Sequence, residues 1–314
     1  MSAAPVILVT GATGSIGRHV VPALRAAGYA VRGQYVREPG DDPAIDWRQW
    51  NLLEKRDLTL LVEGCVGVIH LAAAIHDVPA MERLNVEATR DLASAAARAG
   101  IRYFCHASSI VVYGSPRRRD VDEASPTIDL ARPIVDQFRA EPYMLEYART
   151  KKMSEEVLHD FTSAMHIDIV RPAVVADEEK FREVLGWSVP RKLLSLHRRT
   201  QYIHVNDVAA ALVHLSGRGL AQPAGAIDTF NICDAGVGTY RALLVRLAAG
   251  GPDRLLANLW TPEVSDLLKD AVKHRSLARR YPLGLLRLSN ARLAATGFRA
   301  PIGYAQAVER ARRS

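Results

Sequence analysis

Thr10-Gly11-Ala12-Thr13-Gly14-Ser15-Ile16-Gly17 is the stretch on which the reading of this chain turns. Four apolar residues of strand length, Val6-Ile7-Leu8-Val9, lead into it, and a helical pattern from Ile16 to Ala27, stopped by Gly28, leads out. Glycines at 11, 14 and 17 permit a tight turn and a close approach of backbone to a pyrophosphate. The helix start adds unpaired N–H groups and the positive end of its dipole. A lone glycine pattern is weak evidence, but here it has the strand before and the helix after that dinucleotide binding requires.

Outward from that loop, short apolar runs alternate with helical patterns. Ala30–Val36, Val66–Leu71, Arg102–Ser108, Ile167–Val170 and Asp228–Cys233 read as strands, while Asn85–Arg98 and Pro142–His159 read as helices. Such repeated βα units predict an α/β fold, a doubly wound parallel sheet covered on both faces. After Arg171-Pro172 the pattern weakens, although Asn206 is placed to cap a helix running through Leu215 and the chain from Pro252 onward reads as mostly helical. We therefore expect a dinucleotide-binding Rossmann domain over 1–172, to which 203–233 returns. A smaller, mostly helical substrate-binding lobe is expected from 173–202 and 234–314. The polar stretch Ser115–Glu141 lacks a period, and a loop of that length inside a compact domain is often functional.

Composition excludes several classes. Of 314 residues, 48% are hydrophobic and 24% charged, and no run approaches a membrane span, so integral membrane contact is not expected. The N-terminus has no basic residue before its short apolar run and does not read as a signal peptide. Three widely spaced cysteines, Cys65, Cys105 and Cys233, form neither a disulfide framework nor a metal motif, which points to the cytoplasm and to no metal. The net charge of +7 is concentrated in Lys273–Ser314, which carries ten basic residues against Glu309 and leaves the rest of the chain at −2. That segment could face an anionic small molecule; a nucleic-acid partner is not expected.

Two local features select chemistry. An acid at the end of the second strand would hold the ribose hydroxyls of NAD, whereas an Arg favours the 2′-phosphate of NADP. The chain reads Val31-Arg32-Gly33-Gln34-Tyr35-Val36-Arg37, so Arg37 is the candidate for that phosphate and NADP is preferred over NAD. Farther on, Tyr147-Ala148-Arg149-Thr150-Lys151 places a phenol and an ammonium one helical turn apart on one face. A phenol titrates near ~10, and a neighbouring ammonium is expected to pull that value down toward neutrality.

With these motifs the chain resembles the extended short-chain dehydrogenase/reductase family, also called the NAD(P)-dependent epimerase/dehydratase family. Also carrying the resemblance are Val68-Ile69-His70-Leu71-Ala72-Ala73, Asn85-Val86, Ser108-Ser109-Ile110-Val111-Val112-Tyr113-Gly114, Arg171-Pro172 and His204-Val205-Asn206-Asp207-Val208-Ala209. The resemblance implies that Ser109 hydrogen-bonds a substrate oxygen, Tyr147 exchanges a proton with it, and Lys151 holds the nicotinamide ribose and tunes Tyr147. It places Gly11, Thr13, Gly14, Ser15, Ile16 and Gly17 along the cofactor, with Asn51 and Leu52 near the adenine. Leu71, Ala72 and Ala73 are also expected against the cofactor, Ala72 near its ribose. It also implies a homodimer.

Departures narrow the substrate. Sugar dehydratases of the family carry Thr-Asp-Glu where this chain has Ser109-Ile110-Val111, so water elimination is rejected. The Arg that grips a diphosphate four residues before the His of the His-Val motif is Thr200 here, preceded by Arg198 and Arg199. Arg198, Arg199, Arg287 and Arg292 are candidates for an anionic group. The expected activity is NADP-dependent reduction or epimerisation of a nucleotide-linked keto-sugar, with a reductase of a non-sugar ketone as the alternative. A non-catalytic NADP sensor is a third reading, against which the Ser109/Tyr147/Lys151 set argues.

Overall fold

A computed structural model describes residues 4–54, 57–248, 250, 252–259 and 280–314. Seven strands form one parallel sheet: β1 Val6–Thr10, β2 Ala30–Tyr35, β3 Asp46–Gln49, β4 Cys65–His70, β5 Tyr103–Ala107, β6 His166–Pro172 and β7 Ile227–Ile232. Their spatial order is β7-β6-β5-β4-β1-β2-β3. The winding reverses between β1 and β4, and the crevice beyond the carboxyl ends of those strands is where open α/β sheets bind ligands.

Strand residues alternate between two cores because successive side chains leave opposite faces. Ile7 and Val9 pack with Val20 and Leu24 of α1 (Gly17–Ala26) and with Val208 and Leu212 of a long helix, Val205–Leu220. Leu8 and Val68 face the other way, onto Leu92 and Ala96 of α2 (Ala88–Arg98) and onto Leu158, just past α3 (Pro142–Val157). Gly28 and Gly100 end α1 and α2 with φ of 89° and 70°, a backbone conformation that favours glycine. The alternation read from the sequence is thus present, and both faces are covered.

Two local expectations are corrected, and one strand is added. The helix read from Asn85 is the continuation of a longer one: Val78–Glu82 passes through a π turn at Arg83–Glu87 into α2. The helix cap near 206 is His204, whose Nδ1 accepts from Asn206 N at 3.2 Å, and the helix runs to Leu220; Asn206 Oδ1 lies 2.7 Å from His19 Nδ1 instead. The strand β3, Asp-Trp-Arg-Gln at the sheet edge, has no apolar alternation to reveal it.

Beyond the sheet, a separate core gathers Phe181, Leu196, Tyr202, Leu243, Leu244, Tyr304 and Val308. Its helices include α4 (Val189–Ser195), α6 (Tyr240–Leu247) and α7 (Gly303–Arg313), where α5 denotes Val205–Leu220. Asp207 of α5 accepts from Ile302 N and Gly303 N, both at 2.8 Å, and so satisfies the start of α7. Two short parallel ribbons stitch the lobe on: Val174–Ala176 with Tyr202–His204, and Asp120–Val121, inside the long polar stretch, with Arg287–Leu288. Lys273, Arg275 and Arg279 of the basic segment, and the helical reading of 260–279, lie outside the described residues.

Candidate active site

The glycine loop is built so that side chains are excluded. A Cβ on Gly17 would lie 2.2 Å from Gly11 O and 2.6 Å from Ala12 O. Gly11 takes φ +63°, and a Cβ there would lie 3.1 Å from Ala72 N, which brings the β1 and β4 ends into contact. Gln34 of β2, 1% exposed, supports the loop: its Oε1 accepts from Gly11 N at 2.8 Å and its Nε2 donates to Trp50 O at 2.5 Å. Thr10 Oγ1 accepts from the amides of Leu71 and Ala72 at 3.2 and 3.3 Å. Asn85 locks Ala74, two residues farther on, accepting from Ala74 N and donating to Ala74 O and to Thr150 Oγ1 of α3. The expected loop residues therefore come together as a bare-backbone cradle at the start of α1. That cradle fits a dinucleotide pyrophosphate, with Gly11 to Gly17 and the α1 amides as the groups that would hold it.

Other expected contacts are placed less uniformly. Arg37 is exposed two residues past the end of β2, beside the loop that leads to β3. Leu71, Ala72 and Ala73 are half-buried just beyond β4, and Leu52 is part of the core. Asn51 spends its amide locally: Oδ1 accepts from Leu53 N at 3.1 Å and Nδ2 reaches Glu54 at 3.4 Å. Thr13 and Arg18 line a cavity of about 390 Å³ between the glycine loop and the residues following Arg37. No sequence pattern marks Arg18 or Gln34, the latter a lone amide in an otherwise strand-like run.

At the end of β5 the chain turns through Ser108 and Ser109 into a 3-10 turn, Ile110–Tyr113, which Ser109 caps with extended backbone. The Tyr147 phenol hydrogen-bonds the Ser109 side chain and is 9% exposed. Lys151, 2% exposed, lies with Nζ 5.9 Å from the centre of the Tyr147 ring and donates to Ala107 O at 2.7 Å. Three elements thus deliver the set: the β5 end, the 3-10 turn and α3.

The electrostatics differ from the sequence expectation. Burial pushes the Tyr147 phenol up to about 12, with only the Ser109 hydrogen bond opposing it, where a pull toward neutrality by Lys151 was expected. Lys151 itself moves down to about 8 because its ammonium is buried, against a smaller upward pull from Glu155. Burial also holds His70 near 3 and His106 well below its ordinary value, so both are neutral imidazoles packed behind the site. In this setting Tyr147 is a protonated phenol, a donor.

A polar network that the sequence did not reveal lies beneath. Ser108 Oγ donates to Glu155 Oε1 at 2.5 Å, and Arg171 grips both Glu155 oxygens at 2.9 and 2.7 Å. Arg171 Nη1 also donates to Tyr113 OH, which donates to Asn231 Oδ1 at 2.7 Å. Asn231 N donates to Glu123 and its Nδ2 to Ser289 O. Positions 108, 113, 155, 171 and 231 have no sequence spacing that announces a contact.

A cavity of about 370 Å³ is lined by Ile110, directly after Ser109, together with Trp187, Tyr202, Tyr240, Arg198 and Arg199. Arg199 donates to Val237 O at 3.0 Å. Thr200 is buried and reaches Gly238 O and Tyr304 OH. Arg287 and Arg292, the other candidates for an anion, lie elsewhere: Arg292 pairs with Asp228 at 2.9 Å, near the start of β7 and hence at the opposite end of the sheet, and Arg287 pairs with Asp120 at 3.8 Å.

A doubly wound sheet with a glycine cradle at its switch point, and a Tyr–Lys pair beside it, defines a dinucleotide-dependent oxidoreductase architecture. Comparison with known proteins identifies which. Residues 7–233 match the NAD dependent epimerase/dehydratase family, and the chain belongs to it. It is an NAD(P)-dependent oxidoreductase or epimerase of the short-chain dehydrogenase/reductase type. Sterol demethylase protein B of Methylococcus capsulatus is 29% identical over 88% of this chain and 84% of that protein. Ceramide reductase of Caulobacter vibrioides is 29% identical over 66% of this chain, a match spanning 60% of that protein. Among solved structures, a short-chain dehydrogenase/reductase superfamily protein from Agrobacterium tumefaciens with bound NAD superposes with a TM-score of 0.69 at 25% identity, covering 98% of this chain and 96% of that one. No helix among the described residues is long and apolar enough to cross a membrane.

Proposed function

We propose that this protein is an NADP-preferring reductase of an apolar, non-sugar ketone. When bound, the nicotinamide supplies or takes up the hydride. Tyr147, protonated and buried, donates its proton to the substrate oxygen as negative charge develops there, and Ser109 donates a second hydrogen bond to the same oxygen. Lys151 holds positive charge behind the phenol, which offsets the cost of the phenolate left after donation. The single observation carrying the reading is the Tyr147 phenol, hydrogen-bonded to Ser109 and buried beside Lys151.

An apolar ketone is placed ahead of the nucleotide-linked sugar for two reasons. The position of a diphosphate-gripping Arg holds Thr200, which is turned into the lobe core. The two curated relatives described above are named for a sterol and for ceramide. The sugar reading keeps one observation in its favour, that Arg198 and Arg199 line the same cavity. NADP is favoured by Arg37, exposed past β2 with no acid until Glu38.

A substrate panel separates the two. With NADPH, sterol and long-chain ketones are expected to be reduced with stoichiometric NADPH consumption, and UDP-, dTDP- and GDP-sugars are expected neither to react nor to raise thermal stability. Turnover of a nucleotide-sugar without net NADPH consumption would reverse the reading.

A further inference from the structure

The cavity beside Ser109 is unusually rich in cations for a pocket with aromatic walls. Lys180, Arg191, Arg198 and Arg199 all line it, and Glu183 is the sole carboxylate among its lining residues. Glu183 is already paired with Lys180 at 2.7 Å. The guanidinium carbon of Arg191, on α4, sits 3.9 Å from the centre of the Trp187 ring. Among the described residues Arg191 meets no carboxylate within ion-pair distance. A guanidinium stacked on an indole keeps its planar N–H edge available while its orientation is fixed, which prepares it to receive a carboxylate or phosphate in the plane. Trp187 is itself held by Tyr240, ring centres 4.9 Å apart. Burial pushes the Tyr240 phenol up, and the Tyr202 hydrogen bond, then Arg191, Lys180 and Arg198, oppose that rise, so the three cations stand near that wall of the cavity.

Positive charge along an open cleft raises the local concentration of anions and repels cations. Aromatic walls at the same place favour an apolar body. We propose that the cavity takes a substrate with an acidic group held by Arg191 on the Trp187 shelf, its apolar body along Tyr202 and Tyr240, and its ketone at Ser109 and Tyr147. The assignment rests on the reductase reading for where the ketone lies, but the acidic subsite itself is measured by binding alone.

Decanoate, decanol and decylamine share a chain and differ in charge, so they are suitable probes for calorimetric titration of the NADP-loaded protein. Decanoate is expected to bind roughly tenfold or more tightly than decanol, and decylamine more weakly than either. Arg191→Ala is expected to bring decanoate to the decanol level while decanol is unchanged, and the decanoate preference is expected to shrink with added salt because Arg191 is exposed. Arg191→Gln, which keeps the stacking plane without the charge, is expected to behave as Arg191→Ala does. Equal binding of decanoate and decanol by the natural protein, or a preference that survives both variants, overturns the subsite. Tyr147→Phe separates the two claims: it is expected to remove ketone turnover and leave the decanoate preference intact. Loss of the subsite with turnover retained therefore refutes the subsite alone, whereas a natural protein that prefers decanoate but reduces no ketone refutes the reductase reading alone.

Discussion

Tyr147 sits where burial and a hydrogen bond oppose each other, and burial wins, leaving a phenol near 12. The same burial acts on Lys151 with the opposite sign, because there the charged form is the protonated one. The consequence for stability is directional. Lys151 titrates near 8 in the folded protein and at its ordinary 10.5 when unfolded, so between those values the unfolded chain binds the extra proton and stability rises with pH. Relative to Lys151→Met, the natural protein is expected to gain about 3 kcal/mol between pH ~8 and ~10.5, read from urea unfolding at each pH. A gap that stays constant would show that the ammonium is not buried. At Arg37 the expectation concerns cofactor choice. Arg37→Ala is expected to weaken NADPH binding roughly tenfold or more, ~1.4 kcal/mol, with little effect on NADH. Equal losses for the two cofactors, measured by fluorescence titration, would remove the 2′-phosphate assignment.

At the scale of elements, the decisive piece is the turn from β1 into α1. Only glycine fits at 17, since a methyl group would strike Gly11 O at 2.2 Å. Gly17→Ala is expected to displace the loop, lower stability by about 1–3 kcal/mol and abolish dinucleotide binding, checked by thermal unfolding with and without NADPH. This element was legible in the sequence because strand, glycines and helix are contiguous. The Tyr147–Lys151 pair was legible for a similar reason, since a helix converts a spacing of four into proximity. Elements set by edge position or tertiary partners were not. β3 is a polar edge strand, and His204 displaces Asn206 as a cap because Asn206 is drawn to His19 on α1. The cations of the cavity that Ile110 lines fall in the stretch where periodicity fades, so Lys180 and Arg191 carry no signal.

Across the whole molecule, one polar chain joins α3 to the segments that follow the Asp120–Val121 and Arg287–Leu288 ribbon. Glu155 on α3 binds Ser108 and Arg171, and through Tyr113 and Asn231 the chain reaches Glu123 and Ser289. Arg171 and Glu155 side chains are 7% and 3% exposed, so each needs the other's charge. Glu155→Gln leaves a buried guanidinium without its counter-charge and is expected to cost about 3–5 kcal/mol of stability, seen as a lowered urea midpoint. A near-neutral effect would mean that water reaches Arg171 and that the chain does not bind the two parts together.

The most direct test of the catalytic assignment is the fate of NADPH in Tyr147→Phe. With a sterol or long-chain ketone that the natural protein reduces, Tyr147→Phe is expected to bind NADPH as tightly as before while kcat falls roughly 10²-fold or more. Turnover in Tyr147→Phe equal to that of the natural protein would contradict the assignment of the Tyr147 hydroxyl as the proton donor.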